Sequence, residues 1–231
     1  MTAEHPVTFL NVLQMIFNAD LWSIVWLSLR ISVVAVVLSA LLGIPFGAWL
    51  GLSSKRLARV LRPFVITGMA LPPVVVGLVL YLLLSRSGPL AFLGWLFTPE
   101  AMILAQVILC LPFVVGITAS SVANVPVELY PQLQSLGASS WQARWIILRE
   151  AKPGVLLAIA AALGRSLSEV GAVMMVGGNV KDQTRVMTTA IVLETSKGEF
   201  ALALILGSIL LTLAMAVNLA ILRLNRSRAW P

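Results

Sequence analysis

The sequence contains few charged residues. Asp, Glu, Lys and Arg make up 11% of its 231 residues, compared with about a quarter in a soluble domain. Hydrophobic residues account for 59%, and the mean hydropathy is +0.98. Charged side chains are too few to cover the surface of a soluble domain of this length, so the apolar excess is expected to face lipid.

Histidine and cysteine occur once each, as His5 and Cys110. A Ser–His or zinc–histidine centre would depend on one terminal histidine, so no catalytic or metal site is predicted. Cys110 lies inside an apolar segment, where we interpret it as a small core residue. The only Lys–Gly pair, Lys197–Gly198, lacks the upstream glycine and the preceding strand of a phosphate-binding loop. The chain is therefore not expected to hydrolyse ATP or to hold a cofactor of its own.

Five apolar segments are long enough to cross a bilayer as helices, which takes about 20 residues. They are Leu29–Leu52, Phe64–Leu84, Ala101–Val122, Val155–Val176 and Phe200–Leu222. The predicted fold class is therefore all-α, a polytopic membrane protein forming one transmembrane domain over residues 1–231. The stretch Val7–Trp26 is more polar, and its first half is interpreted as an amphipathic helix in an extracytoplasmic interfacial segment, residues 1–23. A sixth span over Val7–Trp26 is the alternative.

The basic residues predict the orientation of these spans. Ten lie on one side: Lys55, Arg56, Arg59, Arg62, Arg144, Arg149, Lys152, Arg223, Arg226 and Arg228. Four lie on the other: Arg86, Lys181, Arg185 and Lys197. The positive-inside rule places the first set and the C-terminus in the cytoplasm and the N-terminus outside, in a multi-pass inner-membrane protein. Lys and Arg are absent before Arg30, so no cleaved signal is expected, and the scattered basic clusters do not predict nucleic-acid binding.

A polar interruption over residues 123–154 separates the third and fourth spans, and we name it the coupling loop. Its composition predicts two short helices on the cytoplasmic membrane surface, with a turn at Gly137-Ala138-Ser139 and a stop at Pro153-Gly154. Leu133, Leu136, Trp141 and Trp145 would form an apolar knob, and exposed apolar residues of this kind mark a partner surface. The residues assigned to partner docking are Glu128, Gln132, Leu133, Leu136, Gly137, Ala138, Ser139, Trp141, Trp145 and Ile147.

Three motifs resemble the permease subunits of ATP-binding-cassette importers for molybdate, sulfate and tungstate. The coupling loop matches the importer coupling motif at Gly137-Ala138-Ser139-Ser140-Trp141 and at Ile147. Leu71-Pro72-Pro73-Val74-Val75-Val76-Gly77 matches a run typical of oxyanion permeases, as does Gly164-Arg165-Ser166-Leu167-Ser168-Glu169-Val170-Gly171-Ala172. The continuation from Gly177-Gly178-Asn179 to Thr188-Thr189-Ala190 is most similar to tungstate-type permeases. The resemblance covers roughly residues 25–222.

The resemblance implies a type I importer bundle and a set of partners. We expect the chain to form a homodimer in lipid. Its expected partners are a cytoplasmic ATPase dimer that binds ATP and Mg²⁺ and an extracytoplasmic oxyanion-binding protein. Tungstate is the expected substrate, with molybdate or sulfate as alternatives. An ion-driven secondary transporter or channel subunit is the rival from another class. It is disfavoured because secondary transporters tend to show matched broken helices in two repeats, and the Pro72-Pro73 segment has no second copy.

Several residues are candidates for the translocation path or its gate. Pro72 and Pro73 remove backbone donors and would kink the second span. Arg165 and Glu169, four residues apart on one face of the fourth span, either pair for packing or leave Arg165 to attract the anion; packing or gate support is favoured. Asn179, Thr184, Thr188 and Thr189 either offer uncharged donors to an oxyanion or serve as caps in a solvated loop. Gly171 is interpreted as allowing close helix approach.

Overall fold

The computed structural model describes residues 19–225, and every regular element within them is helical. Ten α-helices follow in chain order: α1 (Ala19–Leu52), α2 (Arg56–Met69), α3 (Pro73–Leu84), α4 (Pro99–Ala123), α5 (Leu129–Ser135), α6 (Ser140–Glu150), α7 (Lys152–Leu167), α8 (Gly171–Gly177), α9 (Met187–Lys197) and α10 (Phe200–Asn225). A short 3₁₀ helix covers Ala91–Leu93. The predicted all-α class is confirmed.

The apolar helices supply up to five membrane spans. Helices α1, α4 and α10 are each long and apolar enough to cross a bilayer. Two bent pairs of helices supply the other two if each pair is taken as one span: α2 and α3 meet at 98°, and α7 and α8 meet at 57°. The five predicted segments thus correspond to three long helices and two broken ones.

The first span differs from its prediction at the N-terminal end. Helix α1 begins at Ala19, ten residues before the predicted Leu29, and runs without a turn to Leu52. Residues 19–23 are therefore part of this helix, and no turn follows Trp26 that would end a separate sixth span there. Residues 1–18, which hold the predicted amphipathic helix, lie outside the described residues, as do Arg226 and Arg228.

Two other spans were predicted as single helices and are not. The segment Phe64–Leu84 is interrupted between Met69 and Pro73, and Val155–Val176 is interrupted at residues 168–170. The second helix of the coupling loop ends at Glu150, just before the predicted stop at Pro153-Gly154. Pro153 itself lies in the first turn of α7, where a missing N–H costs no helical hydrogen bond. Helix α9, in a stretch interpreted as a loop, was not predicted.

The centre of the bundle is the contact between α1 and α4. Gly43, Gly47 and Gly51, spaced four residues apart, form one face of α1. A Cβ at Gly47 would lie 2.7 Å from the backbone oxygen of Val115, and one at Gly51 would lie 2.6 Å from that of Ala119. Small residues at this spacing let two membrane helices approach until their backbones touch. This packing holds two long crossings together as a frame for the bent spans.

Candidate translocation junction and coupling surface

The first bent span breaks at a pair of prolines. Helix α2 ends at Met69, and Pro72 precedes the first residue of α3, Pro73. Neither proline has an N–H to continue a helix from α2. The Pro72 carbonyl instead accepts hydrogen bonds from Val75 and Val76, at 3.1 and 3.2 Å, and so starts α3 in a new direction. The predicted kink is present as a complete break.

The second bent span breaks around Glu169. Helix α7 ends at Leu167, so Glu169 is not on the helix of Arg165, contrary to the prediction. The two side chains nevertheless pair across the break, with 3.8 Å between Arg165 Nη2 and Glu169 Oε2. The other carboxylate oxygen accepts the backbone N–H of Ala172 at 3.0 Å. One buried carboxylate therefore holds the end of α7 and the beginning of α8.

Arg165 is placed for packing. Its side chain is 28% exposed, while that of Glu169 is 4% exposed. Its guanidinium carbon lies 5.9 Å from the centre of the Phe113 ring, within the range of a cation–π contact. With a carboxylate on one side and a ring on the other, the Arg165 charge is already compensated inside the bundle.

The two breaks meet at one place, which we name the junction: residues 70–74 and 168–172. A Cβ on Gly171 would lie 2.7 Å from Val74 Cγ2, so the chain after the second break touches the chain after the first. One turn further on, a Cβ on Gly77 would lie 2.8 Å from Ala172 Cα. Helices α3 and α8 thus pack backbone against backbone, and they bring together Pro72, Pro73, Glu169 and Gly171, which the sequence offered only as separate candidates.

A buried polar cluster lies beside the junction. Thr188 donates its hydroxyl to the Glu169 carbonyl at 2.9 Å, and Gln106 donates to the Ser166 carbonyl at 3.1 Å. These residues, with Ser28 and Ser32 of α1, surround a cavity of about 10 Å³. That volume is close to one water molecule, so a tetrahedral oxyanion does not fit here in this conformation.

The remaining polar candidates lie outside the junction. Thr184 accepts the Val180 N–H at 2.9 Å and donates to the Gly177 carbonyl, which closes the turn after α8. The Thr189 hydroxyl accepts the Val186 N–H at 3.1 Å and caps α9. Both threonines are fully buried, so they are neither solvated loop residues nor free donors for an anion. The Asn179 backbone has a φ of +52°, in the left-handed region, and its Oδ1 is buried without a hydrogen-bond partner.

The coupling loop contains the two predicted short helices, α5 and α6. Gly137 has a φ of +86°, as its predicted turn requires. The N–H of Ala138 donates to the Leu133 carbonyl and that of Gly137 to the Gln134 carbonyl, both at 3.0 Å, which is a Schellman ending for α5.

Helix α6 begins immediately afterwards with a capping box. The Ser139 hydroxyl accepts the Gln142 N–H at 3.3 Å, and the Gln142 side chain accepts the Ser139 N–H at 2.8 Å. The turn between the two short helices is therefore closed by local hydrogen bonds on both sides.

The apolar residues of the coupling loop face two ways. Leu136, Trp141 and Trp145 are 85%, 75% and 54% exposed, and Glu128 and Gln132 are exposed beside them. Ile147, in contrast, is 2% exposed and packs with Val122 and Ala151, while Leu133 is half-buried against the same cluster. Ile147 therefore anchors the loop to the ends of the spans instead of facing a partner, while Leu133 contacts the same cluster with only part of its side chain.

Sequence reasoning missed other polar residues. Gln106 is a buried single polar residue in an apolar segment, a signal that was available, and Ser166 is buried directly after Arg165. Arg30 lies just inside the predicted first span, and ionisable residues at such positions usually face a cavity or a pathway. It lines a cavity of about 460 Å³ together with Arg185.

With this geometry established, the chain can be compared with known proteins. Residues 43–229 match the family described as binding-protein-dependent transport system inner membrane component. The chain belongs to this family. Its members are membrane components of transport systems, which agrees with the broken apolar spans and with an exposed helical loop. The secondary-transporter alternative is thereby excluded.

Individual relatives place the chain more narrowly within the transport family. It is 45% identical to a probable anion ABC transporter permease of Haloferax volcanii over 201 residues, covering 85% of this chain and 87% of that protein. It is 39% identical to the tungstate uptake permease TupB of Peptoclostridium acidaminophilum over 209 residues, covering 90% and 92%. The inward-facing MetNI methionine ABC transporter shares the fold, with a TM-score of 0.73, 20% identity, and 90% and 95% coverage.

Proposed function

We propose that this permease imports a divalent tetrahedral oxyanion, and that the anion is tungstate. The observation that carries the proposal is that two oxyanion-permease motifs, around Pro72-Pro73 and around Arg165–Glu169, meet at the junction. The 39% identity to a tungstate permease over most of both chains supports tungstate in particular. Molybdate remains the second candidate, with sulfate, because tungstate and molybdate have nearly equal size and charge.

The permease works with separate partners. Membership of the family implies an ATPase and an extracytoplasmic binding protein; in our proposal the ATPase is a cytoplasmic dimer that binds ATP and Mg²⁺. The cavity beside the junction, about 10 Å³, is too small for the anion within one copy. We therefore place the path between two copies of the chain, with each copy contributing a junction.

Transport requires two states of this dimer. Closure of the two ATPases would move both coupling loops together and open the path outward, where the binding protein releases its anion. Hydrolysis would restore the inward-facing state. Such a cycle can be driven only by ligands that bind the two states with different affinity. The buried contacts of Ile147 and Leu133 with the span ends supply a rigid link from the loop to the bundle.

Uptake by reconstituted complexes tests the substrate. Proteoliposomes would contain the permease, its ATPase and its binding protein, and accumulation of tungstate, molybdate and sulfate would be measured with ATP inside. We expect tungstate uptake, inhibited by molybdate and less by sulfate. ATP-dependent uptake of a cation or a neutral solute, with no oxyanion uptake, would refute the proposal.

In our proposal the N-terminus lies outside and the C-terminus in the cytoplasm of an inner membrane. The ten-to-four division of basic residues supports this orientation. Cysteines introduced at Ser87 and Ser140, both exposed, should label from opposite sides of the membrane, and Ser140→Cys from the cytoplasmic side. The native Cys110 is fully buried and gives a silent background. Labelling of both positions from one side would contradict the scheme.

Coupling to the ATPase is tested at Gly137. A Gly137→Val change strains a φ of +86° and displaces the exposed Trp141 and Leu136. We expect ATP hydrolysis to become uncoupled from uptake in a permease that still inserts. Gly198→Val is the matched control, since Gly198 has a φ of +83° and, like Gly137, no atom within 4 Å of a new Cβ, but lies far along the chain between α9 and α10. Equal losses of coupling in both variants would remove the loop from the mechanism.

A further inference from the structure

A second charged region lies away from the junction. It is a cavity of about 460 Å³, which we name the arginine cavity, and its polar lining residues are Ser23, Arg30, Thr98, Asp182, Gln183 and Arg185. They come from α1, from the beginning of α4 and from the turn between α8 and α9. The volume falls within the range of small-ligand sites.

The two arginines of this cavity are not compensated by ion pairs. Among the described residues, the salt bridges join Arg165 to Glu169, Lys181 to Asp20 and Lys197 to Glu194, so neither Arg30 nor Arg185 takes part in one. The Nε of Arg185 is buried and has no hydrogen-bond partner. The Nε of Arg165 also lacks a hydrogen-bond partner, but Arg165 has a salt bridge to Glu169, whereas Arg30 and Arg185 have no such bridge among the described residues.

The chemistry of the lining suits an oxyanion. Guanidinium groups present planar pairs of N–H donors that match the oxygens of tetrahedral anions. Gln183 adds an uncharged donor, whereas the hydroxyls of Ser23 and Thr98 donate to the carbonyls of Asp20 and Trp95. The opposing charges are Asp182 in the lining and Glu100 in the first turn of α4. Two arginines against one lining carboxylate leave the lining itself positive, while Asp182, and Glu100 through its electrostatic interaction with Arg30, limit how tightly an anion is held.

We propose that the arginine cavity is the site where the permease first receives a divalent tetrahedral oxyanion, on the way to the junction. This inference rests on the proposed function and adds a location to it. In the proposed orientation the cavity is at the extracytoplasmic end, because Lys181 and Asp20, which pair at 3.3 Å, lie at that end. The anion would leave the binding protein, contact Arg30 and Arg185, and then move towards the junction.

Thiol labelling inside the cavity tests its charge without relying on transport. Ser23→Cys would be labelled with an anionic and a cationic methanethiosulfonate reagent in the assembled complex. We expect the anionic reagent to react about tenfold faster. Sodium tungstate should slow the labelling. The preference should vanish when Arg30→Gln and Arg185→Gln are added, and should increase with Asp182→Asn. Ser87→Cys, exposed but outside the cavity lining, is the control and should show no such response.

Uptake measurements complete the test. The rate of tungstate uptake should fall about tenfold in the Arg30→Gln and Arg185→Gln double variant. A change of this size corresponds to the loss of one charged hydrogen bond. Arg30→Lys with Arg185→Lys should recover part of it. Arg86→Gln, which removes an exposed arginine outside the lining, should change nothing.

Distinct results separate this inference from the proposed function. Normal tungstate uptake by the double variant, or equal rates for both reagents, would overturn the arginine cavity while the importer function stands. Protection of Ser23→Cys by anion-free binding protein but not by tungstate would also overturn it, because the arginines would then dock an acidic group of that protein. Absence of oxyanion uptake in the native complex would instead refute the proposed function.

Discussion

The span formed by α2 and α3 bends by 98° at Pro72 and Pro73, whereas the span formed by α7 and α8 bends by 57° around Glu169. In the first, two consecutive prolines remove two backbone donors and the helix ends, whereas the single prolines Pro45 and Pro112 lie inside the continuous helices α1 and α4. In the second, no proline lies at the break, and the ends of the two helices are held by one carboxylate that pairs with Arg165 and accepts the Ala172 N–H. A break at the same junction can thus be built by local chemistry or by tertiary contacts.

The comparison predicts that charge changes affect the second break most. Arg165→Gln leaves the buried Glu169 carboxylate unpaired and should destabilise the assembled permease by about 3 kcal/mol. Glu169→Gln should cost less, because the partly exposed Arg165 can reach water and the glutamine oxygen can still accept the Ala172 N–H. The double variant should recover much of the assembly and only part of the uptake.

A double-mutant cycle measures this coupling. Thermal unfolding of the purified complex and the yield of monodisperse protein report assembly, while uptake is scored separately. Additive losses in the double variant would show that Arg165 and Glu169 are not partners. Full recovery of uptake along with assembly would show that neither charge acts on the passing anion.

The contact between the two spans should be sensitive to a single methyl group. Gly77→Ala places a Cβ 2.8 Å from Ala172 Cα, so α3 and α8 must separate. We expect a loss of about 1–3 kcal/mol, the range for overpacking. Gly164→Ala in α7 is the control, because nothing lies within 4 Å of the new Cβ. That variant should be neutral or more stable, and equal losses in both would argue against backbone contact at the junction.

The smallest expected effect concerns the hydrogen bond that ties α9 to the second break. Thr188→Val removes the hydroxyl that donates to the Glu169 carbonyl and should destabilise by about 1 kcal/mol. Thr212→Val is the matched control, since the exposed Thr212 hydroxyl donates within its own helix to Ser208. Melting curves of both variants would be compared. A larger loss for Thr212→Val would mean that Thr188 does not support the break.

Much of the fold could be predicted from the residues. Apolar length predicts the crossings, because an unpaired backbone cannot lie in lipid. Pro72 and Pro73 predict a break, and Gly137 predicts the turn of the coupling loop, since each depends on the backbone of that residue itself. The docking residues were predicted as one set, yet burial divides them: Ile147 is 2% exposed and Trp141 is 75% exposed. Which side of a short amphipathic helix packs inward depends on the helices beneath it.

Composition and local chemistry alone determined that this chain is a helical membrane protein, and its motifs pointed to an oxyanion permease. Tertiary structure alone decided that Ser168-Glu169-Val170 interrupts a span, because these residues are compatible with a helix and the break depends on Arg165, Thr188 and α3. It also decided which arginines are compensated. Arg165 meets a carboxylate, whereas Arg30 and Arg185, 155 positions apart in the numbering, line one cavity. Sequence specifies each charge, but its environment comes from distant segments brought together by packing.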